Sequence, residues 1–226
     1  MSMPRESMPK KRARAIAIGQ RLDQLYPQAQ CSLHFQDAFT LTICVLLSAQ
    51  TTDAAVNKVT PVLFQRWPDA TALAGADPAE VAMVLRSIGL YKSKATRAVQ
   101  CAQMIVADFG GEVPTTMAEL TRLPGVGRKT ANIILNDAFG IVVGIAVDTH
   151  VFRIAHRLGF SPESSDTPAK VEADLLKVFP EEFWSRLNHQ WVWFGREYCR
   201  ARQARCPDCS LHDLCPSNRV ESNRLQ

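Results

Sequence analysis

The chain has 226 residues, 46% of them hydrophobic, with 26 Lys and Arg against 22 Asp and Glu and a net charge of +4. This composition excludes a disordered chain, and the small charge excess permits a nucleic-acid partner without requiring one. No apolar run approaches the roughly 20 residues that span a bilayer, and the N-terminal segment lacks the apolar stretch of a secretory signal. We therefore expect a protein of the cytosol, where disulfides are disfavoured.

Apolar residues recur at helical spacing along almost the whole chain, which predicts an all-α fold. The predicted helices cover 13–26, 37–50, 78–89, 93–111, 148–159, 170–180 and 181–199. The second of these is apolar on nearly every face, which is typical of a central buried helix. One segment, 141–147 (IVVGIAV), is a candidate strand without a neighbour to pair with. The first 14 residues, with five Lys or Arg, are predicted to form a mobile basic tail.

Capping residues predict where several helices begin and end. Asp77 stands before a proline, as an N-cap stands before the first helical position. Thr116 and Glu119 have the spacing of a capping box. A glycine pair beginning at Gly110 predicts the C-terminus of the helix before it.

The stretch LPGVGRKTA, residues 123–131, places two glycines just before an apolar run with a helical pattern. Glycine lets a ligand approach the backbone closely, and a helix N-terminus offers free N–H groups and the positive end of a dipole. Together these features make a site for a phosphate, to which Arg128 adds charge. Glycine spacing alone is equally compatible with an ordinary turn between two helices.

The seven cysteines fall into two groups. Cys31, Cys44 and Cys101 are scattered along the chain and are predicted to be buried small hydrophobic residues. The other four, spaced C-x6-C-x2-C-x5-C, are Cys199, Cys206, Cys209 and Cys215. Thiolates this close in sequence can surround a zinc ion or an iron–sulfur cluster.

Taken together, these motifs resemble the endonuclease III family of DNA glycosylases. The resemblance rests on LPGVGRKTA as a helix-hairpin-helix followed by VDTHVFR, on LLSAQTTD and GLYKSKA upstream, and on the cysteine spacing. It extends over about residues 15–216, nearly the whole chain.

The resemblance implies a helix-hairpin-helix DNA glycosylase fold with two domains. A six-helix barrel would cover 31–141, and an iron–sulfur cluster domain would combine 1–30 with 142–226. The implied protein is a monomer that acts on double-stranded DNA in base excision repair, in the cytoplasm of a bacterium and associated with its nucleoid. Its substrates would be oxidised pyrimidines and abasic sites.

By this resemblance, Lys129 is the catalytic nucleophile and Asp148 is its carboxylate partner. Arg128, the helix N-terminus and partial burial would each disfavour the ammonium form of Lys129. The amine would attack C1′, expel the damaged base, form a Schiff base and allow β-elimination of the 3′ phosphate. Asp148 would deprotonate the lysine or stabilise charge on the sugar, and it also stands where an N-cap belongs.

The resemblance also implies which residues contact DNA. A damaged base must leave the stack before C1′ can be reached, and Gln50, Leu90 and His150 are the implied side chains that fill the gap. Asp53 either lines the pocket or caps the next helix. Phosphate contacts are expected from the hairpin and from the arginine-rich loop between the first two clustered cysteines. These residues are Gly125, Gly127, Arg128, Arg200, Arg202 and Arg205.

The unequal cysteine spacing is that of the [4Fe–4S] loop of the same family. The resemblance therefore implies a [4Fe–4S] cluster, held by all four cysteines in a structural role, with zinc as the alternative. A cluster ligated wholly by thiolates leaves no open position for substrate.

Two features depart from the family pattern, and three other functions compete. The connection from Lys129 to Asp148 is slightly longer than usual, and Thr121 replaces a commonly acidic residue, so both bear on substrate range. Adenine glycosylases share the hairpin and cluster but lack the lysine and carry an extra C-terminal domain. A non-catalytic DNA-binding module would not need the lysine–aspartate pair, and an electron carrier would need a cluster that cycles without DNA. Lys129 favours the bifunctional enzyme.

Overall fold

A computed structural model describes residues 6–217 and assigns eleven α-helices and two 3₁₀ turns among them. The helices are α1 (Met8–Leu25), α2 (Ala38–Leu47), α3 (Asp53–Arg66), α4 (Ala70–Ala74), α5 (Pro78–Val84), α6 (Tyr91–Phe109), α7 (Met117–Leu120), α8 (Arg128–Phe139), α9 (Thr149–Arg157), α10 (Pro168–Val178) and α11 (Trp184–Glu197). The 3₁₀ turns are Glu181–Phe183 and His212–Leu214. No strand occurs within residues 6–217, so the predicted all-α fold is confirmed. In the same range, no helix is both long and apolar enough to cross a membrane.

The chain divides into two compact units. One comprises Cys31–Val143 and is called the hairpin unit below. The other contains the described residues up to Gln30 and those from Gly144 onward, and is called the cysteine unit. Each unit has its own hydrophobic core.

The core of the hairpin unit is built around α2. Nine of the ten residues of α2 are buried, which confirms the predicted central helix. Asp37 begins it with a capping box, because its side chain accepts from the Thr40 N–H at 2.7 Å while the Thr40 hydroxyl receives the Asp37 N–H. The flanking helices α3, α6 and α8 pack against α2.

The predicted helix ends in the hairpin unit are present. Asp77 is the N-cap of α5, followed by proline at the first helical position. Gly110, at φ +64°, is the C-cap of α6. Thr116 is the N-cap of α7 and accepts from the Glu119 N–H, which is one half of the predicted capping box. In place of the other half, the Thr116 hydroxyl donates to the Glu119 carboxylate at 2.7 Å.

The core of the cysteine unit is formed by the first helix of the chain and its last three helices. Apolar residues of α1, α9, α10 and α11 form one cluster, in which Trp191 and Phe194 are almost wholly buried. Phe160, Phe179 and Trp191 pack as an aromatic group, with ring centroids 5.1 Å apart for the two phenylalanines. The N-terminal helix is therefore an integral part of this unit's core.

The predicted mobile N-terminal tail is wrong for residues 8–14, which belong to α1. Arg14 holds this part of the helix in place: its guanidinium pairs with Glu6 at 2.7 Å and donates to the Leu158 and Leu214 carbonyls at 2.7 and 3.2 Å. Contacts distant in sequence thus order a segment whose basic composition suggested mobility. Residues 1–5 lie outside the described residues.

The candidate strand at 141–147 is wrong, since this segment is an irregular connection. Its second half is buried: Ile145, Ala146 and Val147 are each less than 7% exposed. The Asn188 side chain donates to the Ala146 carbonyl at 2.7 Å, so a side chain supplies the hydrogen bond that a neighbouring strand would supply in a sheet.

Two of the three scattered cysteines are buried as predicted. Cys44 and Cys101 are fully buried, whereas Cys31 is only half-buried, which corrects the prediction for that residue. Burial raises the pKa of Cys44 and of Cys101 to about 12, so both thiols are protonated and unreactive at neutral pH.

Candidate active site and cysteine loop

A tight turn precedes α8 and is anchored by two buried residues, Leu123 and Val126. The Val126 N–H donates to the Leu123 carbonyl at 3.0 Å and closes the turn. Gly125, between them, has φ +87°, and a Cβ at this position would lie 3.1 Å from Leu46 Cδ1. The conformation therefore favours glycine, and a side chain here would also force the Leu46 side chain to move.

Gly127 has a different reason to be glycine. Its φ of −95° and ψ of 176° are open to any residue, and a Cβ would meet nothing within 4 Å. It is the N-cap of α8 and has no side chain to satisfy the first N–H groups of that helix, whose first turn also has no acidic residue. Because the fold leaves this space open, the turn offers bare backbone and a helix N-terminus to an anionic ligand.

Lys129 is the second residue of α8, next to Arg128, and both side chains are exposed. The partial burial expected for Lys129 is therefore wrong: in the first turn of α8 the core side is taken by Ala131, which is fully buried, and Lys129 lies on the exposed side. Exposure leaves the amine accessible to a substrate that approaches the turn.

Thr121, the residue that departs from the family pattern, ends α7. It is the C-cap of that helix, and its hydroxyl donates back to the Met117 carbonyl at 2.9 Å. Asp53 is the first residue of α3, and the N-cap of α3 is Thr52, whose side chain accepts from the Ala55 N–H. The capping role considered for Asp53 is therefore wrong.

Gln50 and Leu90 adopt the left-handed backbone conformation that side chains rarely enter. Their φ angles are +54° and +57°, and within residues 6–217 Gln203 is the one other non-glycine residue with positive φ. Gln50 and Leu90 are both exposed, Leu90 to 61%. Neither conformation is offset by burial of the side chain, so each turn is strained while it displays a side chain to solvent.

Asp148 is the N-cap of α9 in the cysteine unit. Its carboxylate accepts from the Val151 N–H at 2.8 Å, which confirms the capping geometry and fixes the side chain at the start of the helix. The residue is half-buried. One carboxylate oxygen, Oδ1, thus caps the helix.

His150 is the second residue of the same helix and is held from two sides. Its Nδ1 is 3.1 Å from the Arg153 guanidinium, and a Cβ on Gly195 of α11 would lie 2.6 Å from that nitrogen. Burial lowers the pKa of His150; Asp148 opposes the shift, while Arg153 and Arg196 add to it. The ring is therefore a neutral, fixed group at neutral pH.

The loop from Cys199 to Cys206 displays the three predicted arginines. Arg200, Arg202 and Arg205 are all exposed. The loop backbone is held by Arg157 of α9, which donates to the Arg200 and Ala201 carbonyls at 2.6 and 3.2 Å. Guanidinium groups on a pinned backbone suit phosphate contact.

The four clustered cysteines are each half-buried, and none of them forms a disulfide within residues 6–217. Burial raises the pKa of Cys209, the Leu211 N–H opposes the shift, and the nearby Cys215 and Cys199 raise it further. These three sulfurs therefore lie within electrostatic range of one another. Within residues 6–217, no three His, Cys, Asp or Glu side chains are grouped closely enough to hold one metal ion.

The donor set nevertheless fits a four-iron cluster. In such a cluster each thiolate binds a different iron, so the sulfurs need not meet at one point. Donors directed at sulfur are in place: the Arg157 guanidinium is 3.3 Å from Cys199 Sγ, and the Leu211 N–H is 3.4 Å from Cys209 Sγ. Such contacts stabilise thiolates bound to iron.

The sequence-predicted residues fall into the two units. The hairpin unit holds Gln50, Leu90, the glycine turn, Arg128 and Lys129, and the cysteine unit holds Asp148, His150, the arginine loop and the cysteines. Three contributors were missed: Lys94, Arg153 and Arg157. Lys94 contacts Thr51, Arg153 contacts His150, and Arg157 holds the backbone of the arginine loop. The partners of Lys94 and Arg157 are more than 40 residues away in sequence, so no local pattern indicates these contacts.

Comparison with known proteins agrees with this arrangement. Residues 43–181 match the HhH-GPD superfamily of base excision DNA repair proteins. Endonuclease III of Synechocystis is 45% identical, covering 96% of this chain and 98% of its own, and that of Escherichia coli K12 is 42% identical over 90% and 95%. A trapped endonuclease III–DNA covalent intermediate superposes with a TM-score of 0.87 at 40% identity, covering 93% of this chain and 98% of that one.

These matches span most of the chain, and the chain belongs to the endonuclease III family, within the HhH-GPD superfamily. It is an enzyme of the DNA glycosylase and AP lyase class that serves base excision repair.

Proposed function

We propose that this protein is a bifunctional DNA glycosylase and AP lyase that excises oxidised pyrimidines from double-stranded DNA through an imine on Lys129. The observation that carries the proposal is the exposed Lys129 amine on the first turn of α8, directly after a turn whose backbone is open to a phosphate. A covalent intermediate with DNA has been trapped in the homologous endonuclease III, which supports a covalent course here.

The proposed reaction begins when the lone pair of Lys129 Nζ attacks C1′ of the damaged nucleotide. The bond from C1′ to the base breaks, and the base leaves with the bonding electrons and takes up a proton. Opening of the sugar ring gives an imine between Nζ and C1′. The imine acidifies a C2′ proton; its loss forms a C2′–C3′ double bond, and the C3′–O bond breaks with departure of the 3′ phosphate. Water then hydrolyses the imine and frees Lys129.

Asp148 is the proposed carboxylate partner in the first step. It would accept a proton from the Lys129 ammonium or stabilise the positive charge that develops on the sugar. Its hydrogen bond from the Val151 N–H leaves the second carboxylate oxygen available for this work. Capping and catalysis thus use different oxygens of one side chain.

The proposed DNA contacts combine backbone positioning and side-chain insertion. Phosphates would be held by the N–H groups of the turn at 125–127, by Arg128, and by the exposed arginines of the loop that Arg157 holds. Gln50, Leu90 and His150 would fill the space left by the extruded nucleotide. The strained backbone at Gln50 and Leu90 supports this role, because neither side chain is buried and no packing within the protein compensates the strain.

Cys199, Cys206, Cys209 and Cys215 are the proposed ligands of a [4Fe–4S] cluster. When bound, the cluster would supply a rigid centre around which the arginine loop is ordered. Iron and acid-labile sulfide analysis of the purified protein distinguishes this cluster from zinc. We further propose that the hairpin unit is the barrel domain, that the cysteine unit is the cluster domain, and that the enzyme acts as a monomer on the DNA of the bacterial cytoplasm.

Borohydride trapping on duplexes with a single abasic site or oxidised pyrimidine tests the proposal. The protein should form a covalent adduct with either duplex, and Lys129→Gln should lose it and reduce strand cleavage by at least about 10³. Lys58→Gln is the matched control, since Lys58 is also exposed in the hairpin unit. A folded Lys129→Gln variant that cleaves at the original rate would exclude this mechanism. Absence of adduct with the unaltered protein would favour a non-catalytic DNA-binding module.

Asp148→Asn separates the two roles of that residue. Asparagine caps a helix as well as aspartate does, so the free energy of unfolding should change by no more than about 0.5 kcal/mol. Base excision should nevertheless fall by about 10² to 10⁴, because the amide cannot accept a proton or balance the sugar's charge. Parallel denaturant and single-turnover measurements decide the point, and equal losses of stability and of activity would reduce Asp148 to a cap.

A further inference from the structure

Lys94 is a buried lysine that the proposed reaction does not use. It is 4% exposed, on the first turns of α6, among the buried Ala95, Ala98 and Val99. Burial lowers the pKa of Lys94, which expresses the cost of keeping an ammonium group away from water. An apolar residue would fill the same position at lower cost, so the ammonium must serve a particular contact.

That contact is with the turn that follows α2. Lys94 Nζ donates to Thr51 Oγ1 at 2.5 Å, and Thr51 directly follows the strained Gln50. The Thr51 N–H in turn donates to the carbonyl of Ser48, the C-cap of α2, at 3.0 Å. The ammonium therefore meets the turn at the C-terminal end of α2, where the helix dipole favours a positive charge.

The backbone of Lys94 reaches the second strained turn. Its N–H donates to the carbonyl of Leu90 at 3.0 Å, and Leu90 is the left-handed N-cap of α6. Lys94 thus bonds to both turns: its backbone N–H, as in any helix start, donates to Leu90, and its ammonium donates to Thr51, the residue after Gln50. The Lys94 ammonium therefore links the first turn of α6, which directly follows Leu90, to the turn that contains Gln50 and Thr51.

We propose that Lys94 is a positioning residue that sets the spacing between the turn at 48–51 and the turn at 87–90, so that Gln50 and Leu90 enter the duplex together. This inference rests on the proposed insertion of these two side chains into DNA. Without the ammonium contact each turn would move independently, and insertion of one side chain would no longer favour insertion of the other.

The test compares Lys94→Met with Lys58→Met. Methionine keeps most of the apolar stem of Lys94 and removes the ammonium, while Lys58→Met removes the same charge from an exposed position of α3. Base extrusion is followed with a fluorescent purine analogue placed next to the lesion, in proteins that also carry Lys129→Gln so that no chemistry interferes. At saturating protein, Lys94→Met should give an extrusion signal lower by at least about fivefold, and Lys58→Met should match the parent.

Activity in the presence of Lys129 supplies a second readout. We expect kcat/KM on a paired lesion to fall about tenfold in Lys94→Met, and the loss to shrink to about twofold when the lesion lies in a bulge, where less stacking must be broken. A purely structural role for Lys94 would lower activity equally on both substrates. Equal losses, or normal extrusion by the folded variant, would overturn the proposal.

Thr51→Val keeps the inference testable if Lys94→Met does not fold. It removes the acceptor hydroxyl with little change of shape, so extrusion should weaken in the same direction, and combining the two substitutions should add little to the larger single effect. Fully additive effects would contradict a coupled contact. Failure of this inference can be told apart from failure of the proposed reaction, because the latter would appear as absence of borohydride trapping by the unaltered protein.

Discussion

In the hairpin unit, two turns are each followed by a helix with basic residues in its first turn. Both turns contain a residue in the left-handed conformation, but the type of residue differs. The turn before α8 uses Gly125 at φ +87°, and the turn before α6 uses Leu90 at φ +57°. Glycine adopts such angles without a Cβ clash, whereas leucine costs about 1–2 kcal/mol there. The first turn thereby presents backbone to a ligand, and the second presents a side chain.

The lysines after these turns differ in the same sense. Lys129 is the second residue of α8 and is exposed, while Lys94 is the fourth residue of α6 and is 4% exposed. Two positions along a helix rotate a side chain by about 200°, which moves it from the solvent face to the core face. Similar sequences, GVGRKTA and GLYKSKA, therefore place one lysine at the surface and the other inside the protein.

The sharpest way to break this comparison is Gly125→Ala. A methyl group at φ +87°, 3.1 Å from Leu46 Cδ1, should lower the free energy of unfolding by about 1–3 kcal/mol and distort the phosphate-facing turn. DNA affinity at a fixed salt concentration should fall by more than about tenfold. Urea unfolding and duplex binding measured on the same preparation check both expectations.

Gly127→Ala is its control. The open space at Gly127 predicts a change in the free energy of unfolding of no more than about 1 kcal/mol, while the added methyl group still obstructs a phosphate. If Gly127→Ala loses DNA affinity but keeps its stability, Gly127 is needed to let a phosphate approach, whereas Gly125 is needed for the conformation of the turn. If Gly127→Ala binds DNA normally, the turn is a connection only, and the phosphate site lies elsewhere.

Local rules in the sequence predicted much of the hairpin unit. The apolar pattern of α2 and the capping residues of α5 and α6 are local features, and α2 and α6 begin and end within three residues of the predicted positions. The start of α5 is also as predicted, but this helix ends at Val84, five residues before the predicted end. The glycine turn and the exposed arginines were also recognisable, because their residue types have few alternative uses at that spacing. Local chemistry is sufficient where the partner of each group lies within a few residues.

Long-range contacts explain what the sequence did not reveal. The start of α1 depends on Arg14 and carbonyl oxygens more than 140 residues away, and the Ala146 carbonyl finds its donor on Asn188. Lys94 looks like an ordinary polar residue in a helical pattern until Thr51, 43 positions earlier, is placed beside it. Periodicity identifies a face of a helix, and it does not identify which distant group that face will meet.

A smaller effect is expected from Leu90→Gly, which tests whether the strain at this turn serves the substrate. Glycine removes about 1–2 kcal/mol of left-handed strain and adds about 0.5–1 kcal/mol of chain entropy cost. Since Leu90 is 61% exposed, little burial is lost, and the unfolding free energy should stay level or rise slightly. Excision of a paired lesion should still fall about threefold to tenfold, because no side chain fills the gap.

Leu90→Ala completes the test, since it removes most of the side chain that is proposed to fill the gap in the DNA and keeps the left-handed backbone strain. It should lose as much excision as Leu90→Gly, yet be less stable than that variant by up to about 1 kcal/mol. Together the two substitutions separate the effect of the Leu90 backbone on stability from the effect of its side chain on base excision. If Leu90→Gly instead destabilises the protein and leaves excision unchanged, the leucine belongs to the packing of the turn, and the contrast with Gly125 has no bearing on DNA.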